Sequence, residues 1–272
     1  MLTWNLVGSS AAIFFDPSTL TRYSTSVALN MDGTTEPLLT VIGNPIAGNP
    51  SQFALERAIA ALGLDWRVLS FDVAPEDIAA ALNGFAVTGI CGVLIDPSVS
   101  HAASLWHAEQ TGNEGQLVDC LVRSDDGHFI GSDERLLWIE QQFASRAGVE
   151  GLYFGHGGKS SSWNAAALGL KKISGHMSAE TIESARTILV VDDLSGPPEL
   201  EVDEWPEDDG STLVIDLSTQ HPMQLRIKEL GYEVVSHIDL QIGVLERALE
   251  KWTQMKVDSA VIRDAVEEYL GV

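Results

Sequence analysis

Basic residues are scarce. The 272-residue chain has 16 lysines and arginines against 39 aspartates and glutamates, a formal charge of −23, and no lysine occurs before Lys159. Such an acidic surface repels phosphate backbones, which argues against a nucleic-acid partner and fits plain solubility. Long apolar runs are missing too. None approaches the ~20 residues that cross a bilayer, so no membrane role is expected. No basic residue precedes the apolar patch Ala11-Ala-Ile-Phe-Phe15, as a signal peptide requires. There are two cysteines, Cys91 and Cys120, both inside apolar runs. Buried free thiols and a reducing cytoplasm are expected. The seven histidines are scattered, without His-x-x-x-His or His-Glu-x-x-His spacing, so no metal site is expected.

What is present is ordinary for a folded chain: 45% hydrophobic and 20% charged residues, enough for the cores of one or two domains. Residues 1–37 are rich in serine and threonine with short apolar patches and read as an extension. From residue 38, strand and helix patterns alternate. Strands are expected at 38–42, 66–73 and 90–95, with helices at 52–62, from 75 onward, and at 100–109. Segments 117–123 and 128–130 flank Ser124-Asp-Asp-Gly127, a hairpin with an Asp-Gly turn. A helix over 133–146 takes Ser132 or Asp133 as its cap. A second set follows, with strands at 152–154, 172–173, 187–191, 213–217 and 233–237. Its helices are expected at 160–168, 179–185 and 222–230, and an acidic loop at 197–210. Helices at 240–252 and 258–270 close the chain. The pattern gives two α/β domains with parallel sheets, a boundary near 147–150 and a ligand cleft between them.

The stretch GLYFGHGGKS at 151–160 is an apolar run entering a glycine turn. Gly155, Gly157 and Gly158 permit a tight turn, and His156, Lys159 and Ser160 stand where a helix N-terminus cradles phosphate. The spacing is not that of a Walker loop. After the next strand, Ile173-Ser-Gly-His-Met177 has neither an acid for the ribose of NAD nor an arginine for the 2′-phosphate of NADP, only His176. NADP, NAD and a turn that holds no cofactor stay open as alternatives.

Further motifs carry a resemblance. VIGNPIA at 41–47 is followed fifteen residues later by LGLD at 62–65; VAPED stands at 73–77, LVRSDDGHFIG at 121–131 and LQIGVLERALEKWT at 240–253. Together with the glycine turn they make the chain, from about residue 38 to 253, similar to the shikimate dehydrogenase family. The resemblance implies a substrate-binding domain (38–148), a Rossmann-like NAD(P) domain (149–237) and C-terminal helices (238–272) packing back on the first domain. It also implies reversible NADP-dependent reduction of 3-dehydroshikimate to shikimate, assisted by a lysine and an aspartate in the cleft.

The residues that should carry that reaction are altered. The family's serine pair for the substrate carboxylate falls on Asn49 and Ser51. Its Asn-Val-Thr-x-Pro-x-Lys run falls on residues 92–98, putting Gly92 for asparagine, Leu94 for threonine and Ser98, or Val99 with a gap, for the catalytic lysine. The next Asn-Thr pair becomes Asp119-Cys120. The Asn-Thr-Asp motif becomes Ser132-Asp133, with Arg135 at the ungapped aspartate position, and the helical glutamine becomes Val244. Candidate proton-handling residues are Asp133 and Asp119, with His101 and His107 as alternative bases and Asp96 in a turn or cap role. Trp106 and Trp138 are candidates to line the cleft. Three functions are open: a diverged shikimate dehydrogenase-like protein with weak, altered or lost activity, an NAD(P)-dependent oxidoreductase on another small hydroxy acid, and a non-catalytic partner or regulatory subunit. A small-molecule acid is the expected ligand, and monomer and homodimer are both open.

Overall fold

The computed structural model describes residues 36–144, 151–154, 170–173, 179–191, 202–217 and 224–272. The glycine turn with Gly155, His156, Gly157, Gly158, Lys159 and Ser160, the helix expected at 160–168, and His176 lie outside them.

Five strands form the first sheet: β1 (Leu38–Gly43), β2 (Arg67–Asp72), β3 (Gly92–Ile95), β4 (Cys120–Arg123) and β5 (Phe129–Ser132), in the order β2-β1-β3-β4-β5. β1 runs parallel to both β2 and β3. Its run Leu39–Ile42 is buried throughout, as a central strand covered on both faces must be. At the far end of the sheet the expected hairpin is present, and its first strand departs from the parallel pattern. β4 is antiparallel to β3, and β5 to β4, where the tight Ser124–Gly127 turn returns the chain directly. Helices α1 (Ser51–Ala61), α2 (Ile78–Thr88), α3 (Ser100–Thr111) and α4 (Glu134–Ala144) accompany this sheet.

The second sheet is wholly parallel: β6 (Gly151–Phe154), β7 (Leu170–Ile173), β8 (Thr187–Val190), β9 (Leu213–Asp216) and β10 (Glu233–Ser236), in the order β10-β9-β8-β6-β7. β7 lies on one side of β6 and the later strands on the other. The carboxyl end of β6 is thus the switch point at which such sheets hold ligands. Short helices α5 (Ala179–Ser184) and α6 (Gln224–Glu229) belong to this half.

Two longer helices follow, α7 (His237–Thr253) and α8 (Ser259–Leu270). The sequence pattern places the start of α7 at 240 and keeps His237 in a strand. The structure starts the helix at His237 because Ser236 and Asp239 form a capping box. The Asp239 N–H donates to Ser236 Oγ at 3.3 Å, and the Ser236 N–H donates to the Asp239 carboxylate at 2.8 Å. Arg263 then ties Asp239 to α8 at 2.7 Å.

α7 packs on α4, and α8 on α1. These contacts need bare backbone at two places. A Cβ on Gly92 would collide with the Trp252 indole, and one on Gly243 with the Trp138 indole. Trp252 Nε1 donates to the Leu121 carbonyl at 2.9 Å, anchoring α7 to the first sheet. The loss of a side chain at residue 92 is therefore a packing matter: the space belongs to Trp252.

Candidate functional site

A cavity of about 370 Å³ opens where the carboxyl ends of β1 and β3 meet α7. Val41, Leu94, Asp96 and Pro97 line it from the first sheet, with Asn49 and Ser51 from the start of α1. Asp119 and Arg135 lie on the same wall. Val191 and Leu217, just past β8 and β9, face them, and His237, Leu240, Gln241, Val244 and Leu245 come from α7.

The turn after β3 is closed by its own acid. Asp96 Oδ1 accepts from the Ser98 N–H at 2.9 Å and the Ser98 hydroxyl at 2.6 Å. Asp96 Oδ2 accepts from Asn49 Nδ2 at 2.8 Å. Ser98 is exposed, and its hydroxyl oxygen accepts from the Asn44 N–H at 3.0 Å. The position that the resemblance matches to a lysine is thus an exposed serine outside the cavity's lining, Val99 is buried, and Asp96 with Pro97 faces the cavity.

Asn49 and Ser51 share the wall. Asn49 Oδ1 accepts from the Ser51 N–H at 2.8 Å, so both ends of this amide hold the loop. Gln241 Nε2 donates to Ser51 Oγ at 3.3 Å. Gln241 is a site residue the motif reading passed over. It lies three residues before Val244, on the same helical face, and that spacing is the signal that finds it.

Asp119 is buried at 1% exposure. It accepts from the backbone N–H groups of Glu134 at 2.7 Å and Arg135 at 2.9 Å, and from Arg135 Nε at 3.1 Å. It thus caps α4 and pairs with the cavity's guanidinium. Burial pushes its carboxyl up, while Arg135 and the two backbone donors hold it back.

Next to it, Glu134 is fully buried. It takes hydrogen bonds from Arg247 Nε at 2.9 Å and from Lys251, which also donates to Ser132 Oγ at 2.8 Å. Burial alone would raise the Glu134 carboxyl; its bonds with Lys251 and Ser132 and the two nearby cations outweigh that and hold it below the usual range.

Asp133 caps the same helix, accepting from the Leu136 N–H at 2.9 Å, and does not line the cavity. Burial, then the Asp119 charge, push its carboxyl up to about 6. A carboxyl raised on folding favours the native state at low pH and loses that advantage as pH climbs from the unfolded value near 4 through the folded one. Asp133→Asn keeps the cap and removes the titration. Relative to the parent, the variant should gain on the order of 1–2 kcal/mol between pH 4 and 7 once solvent screening is allowed for. Urea midpoints across that range check it, and a flat difference contradicts it.

The histidines and tryptophans sort clearly. His101 is exposed on α3. His107 is buried, with Nε2 accepting from the Gly131 N–H at 3.1 Å, and burial lowers its pKa. Neither lines the cavity. Trp106 donates to Asn83 Oδ1 and packs edge-on against Phe129, and Trp138 covers Gly243. Both face packed cores, so the expectation that they line the cleft fails. His237 does line it, and its Nδ1 is buried without a hydrogen-bond partner among the described residues. Among those residues no cluster of His, Cys, Asp and Glu has the makings of a metal site, and no helix is long and apolar enough to cross a membrane.

No protein-family profile matches the chain. A shikimate dehydrogenase (NADP+) of Geobacter metallireducens is 38% identical over 136 residues, covering 42% of this chain and 48% of that relative, about half its length. One from Methanopyrus kandleri is 25% identical over 296 residues, covering 90% and 99%. Among solved structures, shikimate 5-dehydrogenase of Thermus thermophilus with NADP(H) and shikimate has a TM-score of 0.64 at 17% identity, covering 86% of this chain and 100% of that one. The 5-ketofructose reductase of Gluconobacter sp. strain CHM43 has a TM-score of 0.67 at 19% identity, covering 87% and 99%. The chain is thus similar in sequence to shikimate dehydrogenases and shares their α/β fold with its Rossmann-like parallel sheet.

Proposed function

We propose that this chain keeps the ligand cleft of a shikimate dehydrogenase but not the ordinary lysine-assisted reaction, the NADP-dependent reduction of 3-dehydroshikimate to shikimate. One observation carries the reading. The turn after β3 presents Asp96 and Pro97 to the cavity and carries a serine, Ser98, where the resemblance implies the lysine, so this turn supplies no ammonium. Lys251, the described lysine beside α4, is committed to Glu134 and Ser132 and does not line the cavity.

The T. thermophilus structure holds NADP(H) and shikimate, which supports NADP as the first cofactor to try and a small hydroxylated acid as the first ligand. In this reading residues 155–160 hold the pyrophosphate. Asn49 and Ser51 contact the ligand, and Asp96 and Asp119 are the carboxylates that line its cavity. Asp133 acts only through the start of α4.

A second reading is a reductase of another polyhydroxylated carbonyl compound, favoured by the shared fold with 5-ketofructose reductase. Steady-state oxidation of shikimate and quinate with NADP+ and NAD+ tests the first reading: turnover within about tenfold of the T. thermophilus enzyme overturns it. Calorimetry with either cofactor tests the second, which falls if neither binds at millimolar concentration.

A further inference from the structure

We propose that the cavity selects an uncharged, hydroxyl-bearing ligand over a carboxylate. The inference rests on the ligand-cleft reading above and goes beyond it, to the charge of what the cleft takes. Among the described residues, three charged side chains line the cavity: Asp96, Asp119 and Arg135. Arg135 is paired with Asp119 at 3.1 Å, so its charge is met within the wall. Among the described residues Asp96 has no cation beside it; its partners there are an amide, a backbone N–H and a hydroxyl. The described part of the wall therefore carries one unmatched negative charge. A ligand carboxylate entering this small, mostly apolar space meets a like charge, and the low local dielectric strengthens the repulsion.

Part of the donor set that would offset this repulsion is already engaged within the wall. One hydrogen of the Asn49 amide goes to Asp96, its oxygen takes the Ser51 N–H, and Gln241 donates to Ser51 Oγ. Another polar atom of the wall is of a different kind. His237 Nδ1 is buried in the wall with no partner among the described residues, and a buried polar atom is ordinarily paired. A hydroxyl is both donor and acceptor. It satisfies this nitrogen in either tautomer and donates to Asp96, which a carboxylate does not.

The test compares shikimate with its primary amide, two ligands of the same shape that differ by one charge. Isothermal calorimetry on the full chain at fixed ionic strength should give the amide a Kd at least about tenfold lower. In Asp96→Asn the two should bind within about threefold of each other, and His237→Ala should weaken both about tenfold with an unchanged melting temperature. The parent protein's ratio stands whether or not either variant folds. Shikimate binding as tightly as the amide, or more tightly, overturns the charge selection and leaves the cleft reading standing. A tenfold preference that survives in Asp96→Asn overturns the part given to Asp96, and unchanged affinity in His237→Ala the part given to that residue. If neither compound binds at about 10 mM, the cleft reading falls and takes this proposal with it.

Discussion

Purified protein given shikimate and NADP+ is expected to form NADPH about a hundredfold or more slowly than the T. thermophilus enzyme assayed beside it. Oxidising a secondary alcohol needs a group to receive the hydroxyl proton, and a positioned acid or base contributes about 10²–10⁴-fold. Here the turn after β3 offers Asp96, already accepting three hydrogen bonds. Asp119 is closed in by Arg135 and two backbone N–H groups. Binding suffers as well. Leu94 and Val244 line the cavity at positions where the family resemblance implies polar contacts, and each buried ligand group left unpaired costs about 1–3 kcal/mol. The loss should therefore appear in both kcat and KM. A deficit confined to KM would mean that a proton acceptor works here after all.

Asp119→Ala should lower stability by about 3–5 kcal/mol, the usual consequence of breaking a buried ion pair from one side. For a protein of this size that is a fall in Tm of roughly 6–20 °C. The carboxylate does two things at once: it receives the first N–H groups of α4, which otherwise point at nothing, and it offsets a guanidinium 6% exposed. Asp119→Asn keeps an acceptor for the N–H groups of α4 but removes the charge that faces Arg135, and should cost less than the alanine change by about the 1 kcal/mol of the retained hydrogen bonding. The double change Asp119→Ala with Arg135→Met should recover most of the loss in the charge and leave that of the cap. Thermal melts of the four proteins check this. A single-site cost below about 1 kcal/mol would show that Arg135 finds equal company elsewhere.

The elements legible in the sequence are those whose determinants are local. The apolar run of β1, the Asp-Gly turn between β4 and β5, and the acid before α4 all announce their structure within a few residues. Asp119 stood out as an acid in an apolar strand that needed partners, but its partner Arg135 lies sixteen residues on and is brought back only by the hairpin. Asn49 and Asp96 meet across 47 residues, a pairing no spacing rule predicts. His237 was hidden by a strand-like alternation that ran one residue too far, although Ser236 and Asp239 already spelled a capping box. The tryptophans misled because ring size signals burial, not which face of a helix is buried.

The anchoring of Trp252 over Gly92 has a consequence for the order in which the molecule can be made. The first sheet and its helices are complete by Ala144, yet the helix that covers them begins about ninety residues later, at His237. At a synthesis rate of about 5–20 residues per second, roughly 5–20 s pass between the two. Throughout that interval the nascent chain carries a finished sheet whose apolar face, with the bare backbone of Gly92 upon it, waits for an indole not yet made. The second sheet must emerge before the first can close, so the two halves mature together rather than in turn.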